Sequence, residues 1–304
     1  MRAAVFDRFG PPDVLRLAEL PDPGPKPGEV RVRVRAAGVQ PFDVAVRRGT
    51  MPWVKATFPQ TIGQEYAGVI DELGPGAEGH GLAVGDAVLG STMLNGQASM
   101  VCVAAENAVR KPDGLDFPAA AGLVAASQTA GGALRELGVG PGDVLVVHAA
   151  AGSVGTVAVQ LARLAGATVI GTASPANHDY LRELGAIPVA YGAGLVDAVR
   201  GVAPSPPTVA LDAIGGAAIG QSVELGIPAG RIGTIVDDRT AAAHGTRVVR
   251  AGRSPQRLAE VVELAARGVV TMPIRAYPLV DVVAAHAAVE SGHGRGKVVL
   301  IVGP

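Results

Sequence analysis

The sequence predicts an α/β protein of two parts, a β-rich first part followed by a doubly wound parallel sheet with helices on both faces. Three observations lead there. Period-two apolar runs broken by Gly/Pro turns fill about the first 110 residues. From Pro118 onward, helical and strand patterns alternate. Within that alternation, one apolar strand runs through a turn of small residues straight into an amphipathic helix. A chain of 304 residues accommodates two domains of ordinary size. Hydrophobic residues at 48% against 17% charged supply a packed core and exclude intrinsic disorder. The 42 Gly and 23 Pro follow no triplet period, which excludes collagen and announces many tight turns.

The elements follow in order. The chain opens on a strand at the head of MRAAVFDRFGPPDVL, and the turn-rich connector PDPGPKPG precedes the next one. Residues 29–36 (EVRVRVRA) then alternate valine with arginine or alanine, the mark of a half-buried strand. Further strands are expected at 66–73, 86–89 and 97–104, close enough together for a small antiparallel barrel or sandwich. Beyond Pro118 the expected order is helix 119–137, strand 144–148, helix 154–164, strand 168–172 and helix 176–184. Strand 209–211, helix 217–225 and strand 231–236 follow. The last stretch reads as helix 255–267, strand material at 269–275, helix 280–291 and strand 297–302.

Several classes of function are disfavoured. The net charge is -1 with no lysine-rich block, so the electrostatic footprint for nucleic acid or an anionic membrane is missing. No apolar run reaches the length of a membrane span, and the chain meets Asp7 and Arg8 before any secretory apolar segment, so a cytoplasmic address is expected. The single cysteine, Cys102, can form no internal disulfide and no multi-thiolate zinc site, and the six histidines show no HExxH spacing. No serine sits in a G-x-S-x-G elbow, which argues against a hydrolase.

The strongest motif is DVLVVHAAAGSVGTVAVQLARLAGATVIGTAS. A compact apolar strand enters the turn through Ala149 to Gly155, and a helix and a second strand follow. Small residues let the backbone turn sharply and bring a helix N-terminus, with its free N–H groups and positive dipole end, close to a pyrophosphate. In an NAD site an acid ends the second strand and accepts hydrogen bonds from the ribose hydroxyls. Here that strand ends Gly171-Thr172-Ala173-Ser174 with no acid, which favours NADP(H) and its 2′-phosphate. Ser174 equally suits the start of the next helix, and both readings stand.

With these blocks on the page, the chain resembles the zinc-free quinone oxidoreductase branch of the medium-chain dehydrogenase/reductase superfamily over essentially its full length. The likeness is carried by MRAAVFDRFGPPDVL, VRVRVRAAGVQPFDVAVRRG, IGQEYAGVI, GDAVLG, AAGLVAASQTAGGAL, HAAAGSVG, LDAIGG and GRGKVVL together. It implies a GroES-like substrate domain in residues 1–117, a Rossmann-type NADP(H)-binding domain in 118–253, and a return in 254–304 that completes the substrate domain. Zinc-dependent relatives carry a cysteine and a Gly-His-Glu where Gln40 and Gly63-Gln64-Glu65 stand here, so no metal is expected.

Carried over residue by residue, the resemblance assigns the pyrophosphate to Gly152, Ser153, Val154 and Gly155. It assigns the 2′-phosphate to Ser174 and His178. Tyr191 matches a tyrosine near the adenosine phosphate, although a strand-end aromatic has the same appearance. Thr129 matches a threonine beside the nicotinamide, and Gln40, where asparagine is usual, keeps an amide donor for the substrate on a longer arm. Lys297 belongs to a terminal Gly-Lys block near the cofactor, with a solvated strand-start lysine as the other reading. The expected cofactor is NADPH, and the expected catalytic residues are Gln40 and Thr129.

The run GTASPANHDYLRELGA is also similar to enoyl reductase modules of polyketide synthases. The expected reaction is therefore hydride transfer from NADPH to a quinone, or to the β-carbon of an α,β-unsaturated carbonyl such as an enone or enoyl thioester. The substrate would be a small molecule held between the domains. The alternative is a non-catalytic NADPH-binding protein of the zeta-crystallin type, structural or RNA-binding. The resemblance further implies a homodimer joined through the last strand of the nucleotide-domain sheet, at residues 231–236 or just after.

Overall fold

Alternation shapes the first strands. The computed structural model describes residues 1–292 and 294–303. β1 (Arg2–Phe6) pairs antiparallel with β2 (Leu15–Glu19). β3 (Glu29–Val39) follows, with Val30, Val32 and Val34 buried, while Arg31 turns outward to Asp71 at 2.8 Å. Gln40 caps α1 (Pro41–Arg48): proline opens the helix, Asp43 Oδ2 accepts the Gln40 backbone N–H at 3.0 Å, and Gly49 closes it at φ +74°. Then come β4 (Gln60–Thr61), β5 (Glu65–Leu73), β6 (Ala87–Ser91), β7 (Met100–Ala104) and β8 (Val109–Arg110). The strand expected at 97–104 starts later, because Gln97 turns its side chain into a buried polar contact with Gly38 O and Asp43.

α2 (Phe117–Glu136) leads into the alternating region. β9 (Val144–Val147) is buried along its whole length, so it reads as a continuous apolar run, as a strand covered on both faces must. α3 (Ser153–Leu164), β10 (Thr168–Ala173), α4 (His178–Glu183), β11 (Ile187–Ala190), α5 (Leu195–Val202), β12 (Val209–Asp212), α6 (Ala218–Glu224), β13 (Ile232–Thr234), α7 (Asp238–His244) and β14 (Arg247–Val248) complete this part. The strands form one six-stranded parallel sheet in the order β11-β10-β9-β12-β13-β14. Counted within the sheet this is 3-2-1-4-5-6, the doubly wound order, whose strand order reverses between its first and fourth strands, here β9 and β12. Val146, Ile170, Val199, Ala210, Ile219 and Ile232 pack as its core. Of the two places expected for the last strand, 231–236 is internal to the sheet and the edge is β14, after it. One expectation is corrected here. α4 is shorter than expected, because Pro175 starts a tight 3-10 turn ahead of it.

The return begins with α8 (Pro255–Ala266), capped by Ser254. Strand material expected at 269–275 lies instead in β15 (Ile274–Pro278). Val270 is buried where its N–H closes onto Leu264 O after the helix, and the pairing with Lys297 N–H starts only at Pro273 O. α9 (Val282–Glu290) and β16 (Lys297–Ile301) follow. β16 pairs parallel with β15 and antiparallel with β3, in a sheet ordered β15-β16-β3-β5-β6-β8 with β7 also on β3. Phe6, Val32, Ile62, Tyr66, Ile70 and Leu300 belong to one core, so the return packs with the first strands. The chain thus divides into two compact units, Met1–Ala125 with Ser254–Pro304, and Ala126–Arg253. Among the described residues no helix is long and apolar enough to cross a membrane.

Candidate active site

In the second unit, the turn after β9 is built on close approach. Ala149 sits at φ +58°, its N–H donates to Thr172 Oγ1, and Ala150 N–H donates to Thr172 O. The turn is thereby tied to β10. Gly152 is the N-cap of α3, with Ser153, Val154 and Gly155 in its first turn, where helix geometry leaves N–H groups without intrahelical partners. A Cβ on Gly155 would lie 2.4 Å from Ala149 O and 2.6 Å from Ala150 Cα. Only glycine lets the helix start lie this close to the strand end. A cradle of free N–H groups at the positive end of a twelve-residue helix suits a pyrophosphate.

Three neighbouring parallel strands bring the other expected residues to the same edge of the sheet. Gly152 follows β9, Ser174 follows β10 and Tyr191 follows β11, and the three strands adjoin. Ser174 Oγ accepts from Asn177 Nδ2 at 3.2 Å and makes no capping bond to backbone. His178, half-buried at the start of α4, has its Nε2 buried without a hydrogen-bond partner among the described residues. Tyr191 is 64% exposed in the loop past β11. Thr129 is half-buried on α2.

His148 and Asp212 are buried at this edge and bonded within the fold. His148 Nε2 meets Ser222 Oγ at 2.9 Å, and burial pushes its imidazole down to about 4, against a smaller opposite pull from Asp212. Asp212 is fully buried, its Oδ1 accepting from the Ile214 and Gly215 N–H groups and its Oδ2 from Thr234 Oγ1 at 2.6 Å.

In the first unit, Gln40 and Lys297 meet at one end of the larger sheet. Val298 is opposite Val39, so one register step further brings the starts of β16 and α1 together. The Gln40 Nε2 donates to Gln64 Oε1 at 2.9 Å. Lys297 is buried and its ammonium pairs with Glu65 Oε2, while Glu65 Oε1 accepts the Ala125 N–H at 2.7 Å. The solvated-lysine reading of Lys297 is therefore corrected. Gly38 makes room for this pair, since a Cβ there would meet the Glu65 carboxylate at 2.1 Å. Sequence reasoning passed over Gln64 and Glu65 as site residues. The signal is the GQE triplet itself, an amide and a carboxylate side by side at the start of β5. Cys102 is half-buried and its thiol is pushed up to about 11 by burial first and by neighbouring carboxylates, so it is no ready nucleophile.

Two family models match, the alcohol dehydrogenase GroES-like domain over residues 26–146 and the zinc-binding dehydrogenase over residues 184–300. The chain is 31% identical to the quinone oxidoreductase of Coxiella burnetii, with a TM-score of 0.90, over 100% of this chain and 99% of that one. The chain belongs to the medium-chain dehydrogenase/reductase superfamily. This superfamily member is also 35% identical to the spectinabilin polyketide synthase system protein NorB of Streptomyces orinoci, over 97% of its own length and 14% of that protein's. It is 43% identical to the polyketide synthase GfsB of Streptomyces halstedii, over 52% of its length and 3% of that protein's. The chain thus spans a small fraction of these curated relatives. It has the GroES-like and Rossmann parts of that fold. Zinc, which the second model's description implies, does not fit the donors here. Among the described residues no three of His, Cys, Asp and Glu gather, and two carboxamides bond each other at the Gln40–Gln64 end.

Proposed function

We propose that this protein is an NADPH-dependent reductase that acts without a metal on a quinone or on the C=C bond of an α,β-unsaturated carbonyl, whether enone or enoyl thioester. The observation that carries the proposal is the Gly155 cradle, a helix start held against a strand end so tightly that no side chain fits. Similarity to a quinone oxidoreductase and to polyketide synthases supports the two substrate classes.

When bound, NADPH would supply a hydride. The N–H groups of Ser153, Val154 and Gly155, beside Gly152, hold the pyrophosphate by charge-assisted hydrogen bonds. Ser174 and the buried, unpartnered Nε2 of His178 hold the 2′-phosphate, where an acid would repel it. Tyr191 would contact the adenosine end and Thr129 the nicotinamide end of the cofactor when it is bound. Gln40 donates an amide N–H to the substrate oxygen, stabilising the negative charge that grows there as the carbon is reduced. Lys297 enters through its pairing with Glu65, which orders the start of β16 beside Gln40, rather than as a free charge on the cofactor. Solvent protonates the product. As a second proposal, two copies pair through the edge strand β14.

The experiment is NADPH oxidation by chelator-treated protein across a panel of quinones, enones and enoyl thioesters. Turnover on at least one class is expected. NADPH binding with no turnover across the panel would replace this reading with that of a non-catalytic NADPH-binding protein.

A further inference from the structure

The Gln40 carboxamide is held. Beyond its 2.9 Å bond to Gln64 Oε1, the far end of the Gln64 amide reaches out, its Nε2 donating to Met93 Sδ at 3.8 Å. The three side chains run from a half-buried Gln40, through a buried Gln64, to an exposed Met93. Burial of Gln64 makes its orientation specific, because a buried amide that loses its partner has no water to replace it.

The loop that carries Met93 is anchored on both sides of Gln64. Thr92 N–H donates to Gln64 O at 3.0 Å, Gly96 N–H to Gly63 O at 2.9 Å, and Gln97 N–H to Ile62 O at 3.0 Å. Within it Leu94 sits at φ +61°, a left-handed conformation that a bulky residue adopts only when its surroundings impose it. The Thr92 hydroxyl and the Asn95 side chain bond across the turn.

A glutamine has one more rotatable bond than an asparagine, and a donor on a longer arm contributes to a transition state only if its freedom is removed before the substrate arrives. One hydrogen of a planar NH2 group, once bound, fixes the direction of the other. We propose that Gln64 is a positioning residue for the reaction. It takes one N–H of Gln40, and so sets the second N–H as the donor offered to the substrate oxygen. This rests on the reading of Gln40 given above and adds Gln64 to it.

The test uses the full chain with two readouts. In the cofactor-free protein, the two side-chain amide protons of Gln40 should give widely separated NMR resonances, since one is bonded and the other is not. Gln64→Leu should collapse that separation toward the value of exposed glutamines, and Gln64→Glu, which keeps the acceptor, should retain it. In steady-state kinetics, Gln64→Leu should lower kcat about tenfold with the KM for NADPH within about twofold of the parent, less than the loss of a direct donor. Gln64→Glu should recover kcat to within about threefold. The double variant Gln40→Leu/Gln64→Leu should be no slower than Gln40→Leu alone. Unchanged Gln40 resonances in Gln64→Leu, or losses that multiply in the double variant, would overturn the role of Gln64. An unaffected kcat in Gln40→Leu would instead overturn the reading of Gln40 on which it rests.

Discussion

Replacing Gly155 by alanine tests the cradle at its tightest point. The new Cβ would stand 2.4 Å from Ala149 O, 2.6 Å from Ala150 Cα and 2.7 Å from Ala150 C. All three are backbone atoms, so no side chain can rotate aside. The turn has little slack, because Ala149 already sits at φ +58°. Restoring ordinary contact means moving the start of α3 about 1 Å off the strand, and overpacking of this kind costs about 1–3 kcal/mol. The same displacement moves three N–H donors away from their ligand. Misplacement on that scale costs up to about a hundredfold in function, so the Kd for NADPH should rise at least about tenfold. Gly152→Ala is the control for stability, since its Cβ meets nothing closer than 3.4 Å and its φ of -72° suits any residue. Weaker capping should cost that variant about 0.5–1 kcal/mol. Denaturant melts give the stabilities, and NADPH fluorescence titration gives the affinity. A Gly155→Ala protein as stable as the parent, with unchanged NADPH affinity, would refute the reasoning.

The buried histidines make a pH prediction. Burial lowers His148 to about 4 and, with help from the Arg47 charge, lowers His286 to about 3, both from 6.5. The folded protein keeps them neutral while the unfolded chain takes up protons. Their stabilisation is therefore complete above about pH 6.5 and is lost as pH falls toward the folded values, at about 1.4 kcal/mol per pH unit for each histidine. Urea midpoints should fall steadily between about pH 6 and pH 5, and His286→Gln should halve the slope; a flat profile would count against the burial of both rings. Lys297→Met leaves the buried Glu65 carboxylate without its counter-charge and should cost about 3–5 kcal/mol, whereas Glu65→Gln/Lys297→Met should cost less than the single change. Equal costs would show that the pair does not act as a unit. Ser174→Asp places an acid at the end of β10, and the ratio of NADPH to NADH affinity should fall more than about tenfold. An unchanged ratio would remove Ser174 from the 2′-phosphate proposal.

Local pattern carried much of this fold. The alternation at 29–36 is visible because Val30, Val32 and Val34 share a buried face while Arg31 and Arg33 look toward Asp71. β9 and the turn after it are visible because a strand buried on both faces must be apolar throughout, and because the turn admits only small residues. β11 and α5 escaped notice, the first having only four residues with a proline among them, the second following closely spaced glycines. β15 was displaced because the valines ahead of Pro273 close a helix end instead of joining the sheet. At the site, the residues of the Gly turn were legible because their function is written in local backbone geometry. The Lys297–Glu65 pair was not, since its members are 232 positions apart and meet only when β16 joins β3. Gln64 lay between these cases: it was in plain view, but its bond to Gln40 exists only after β3 and β5 pair.

The most direct test follows the hydrogen itself. NADPH carrying deuterium at the transferable position would be incubated with chelator-treated protein and an α,β-unsaturated carbonyl from the panel, and the product read by mass spectrometry. One deuterium at the β-carbon of the reduced product is the result expected. Product without the label, or product formed only after zinc is restored, would contradict the account.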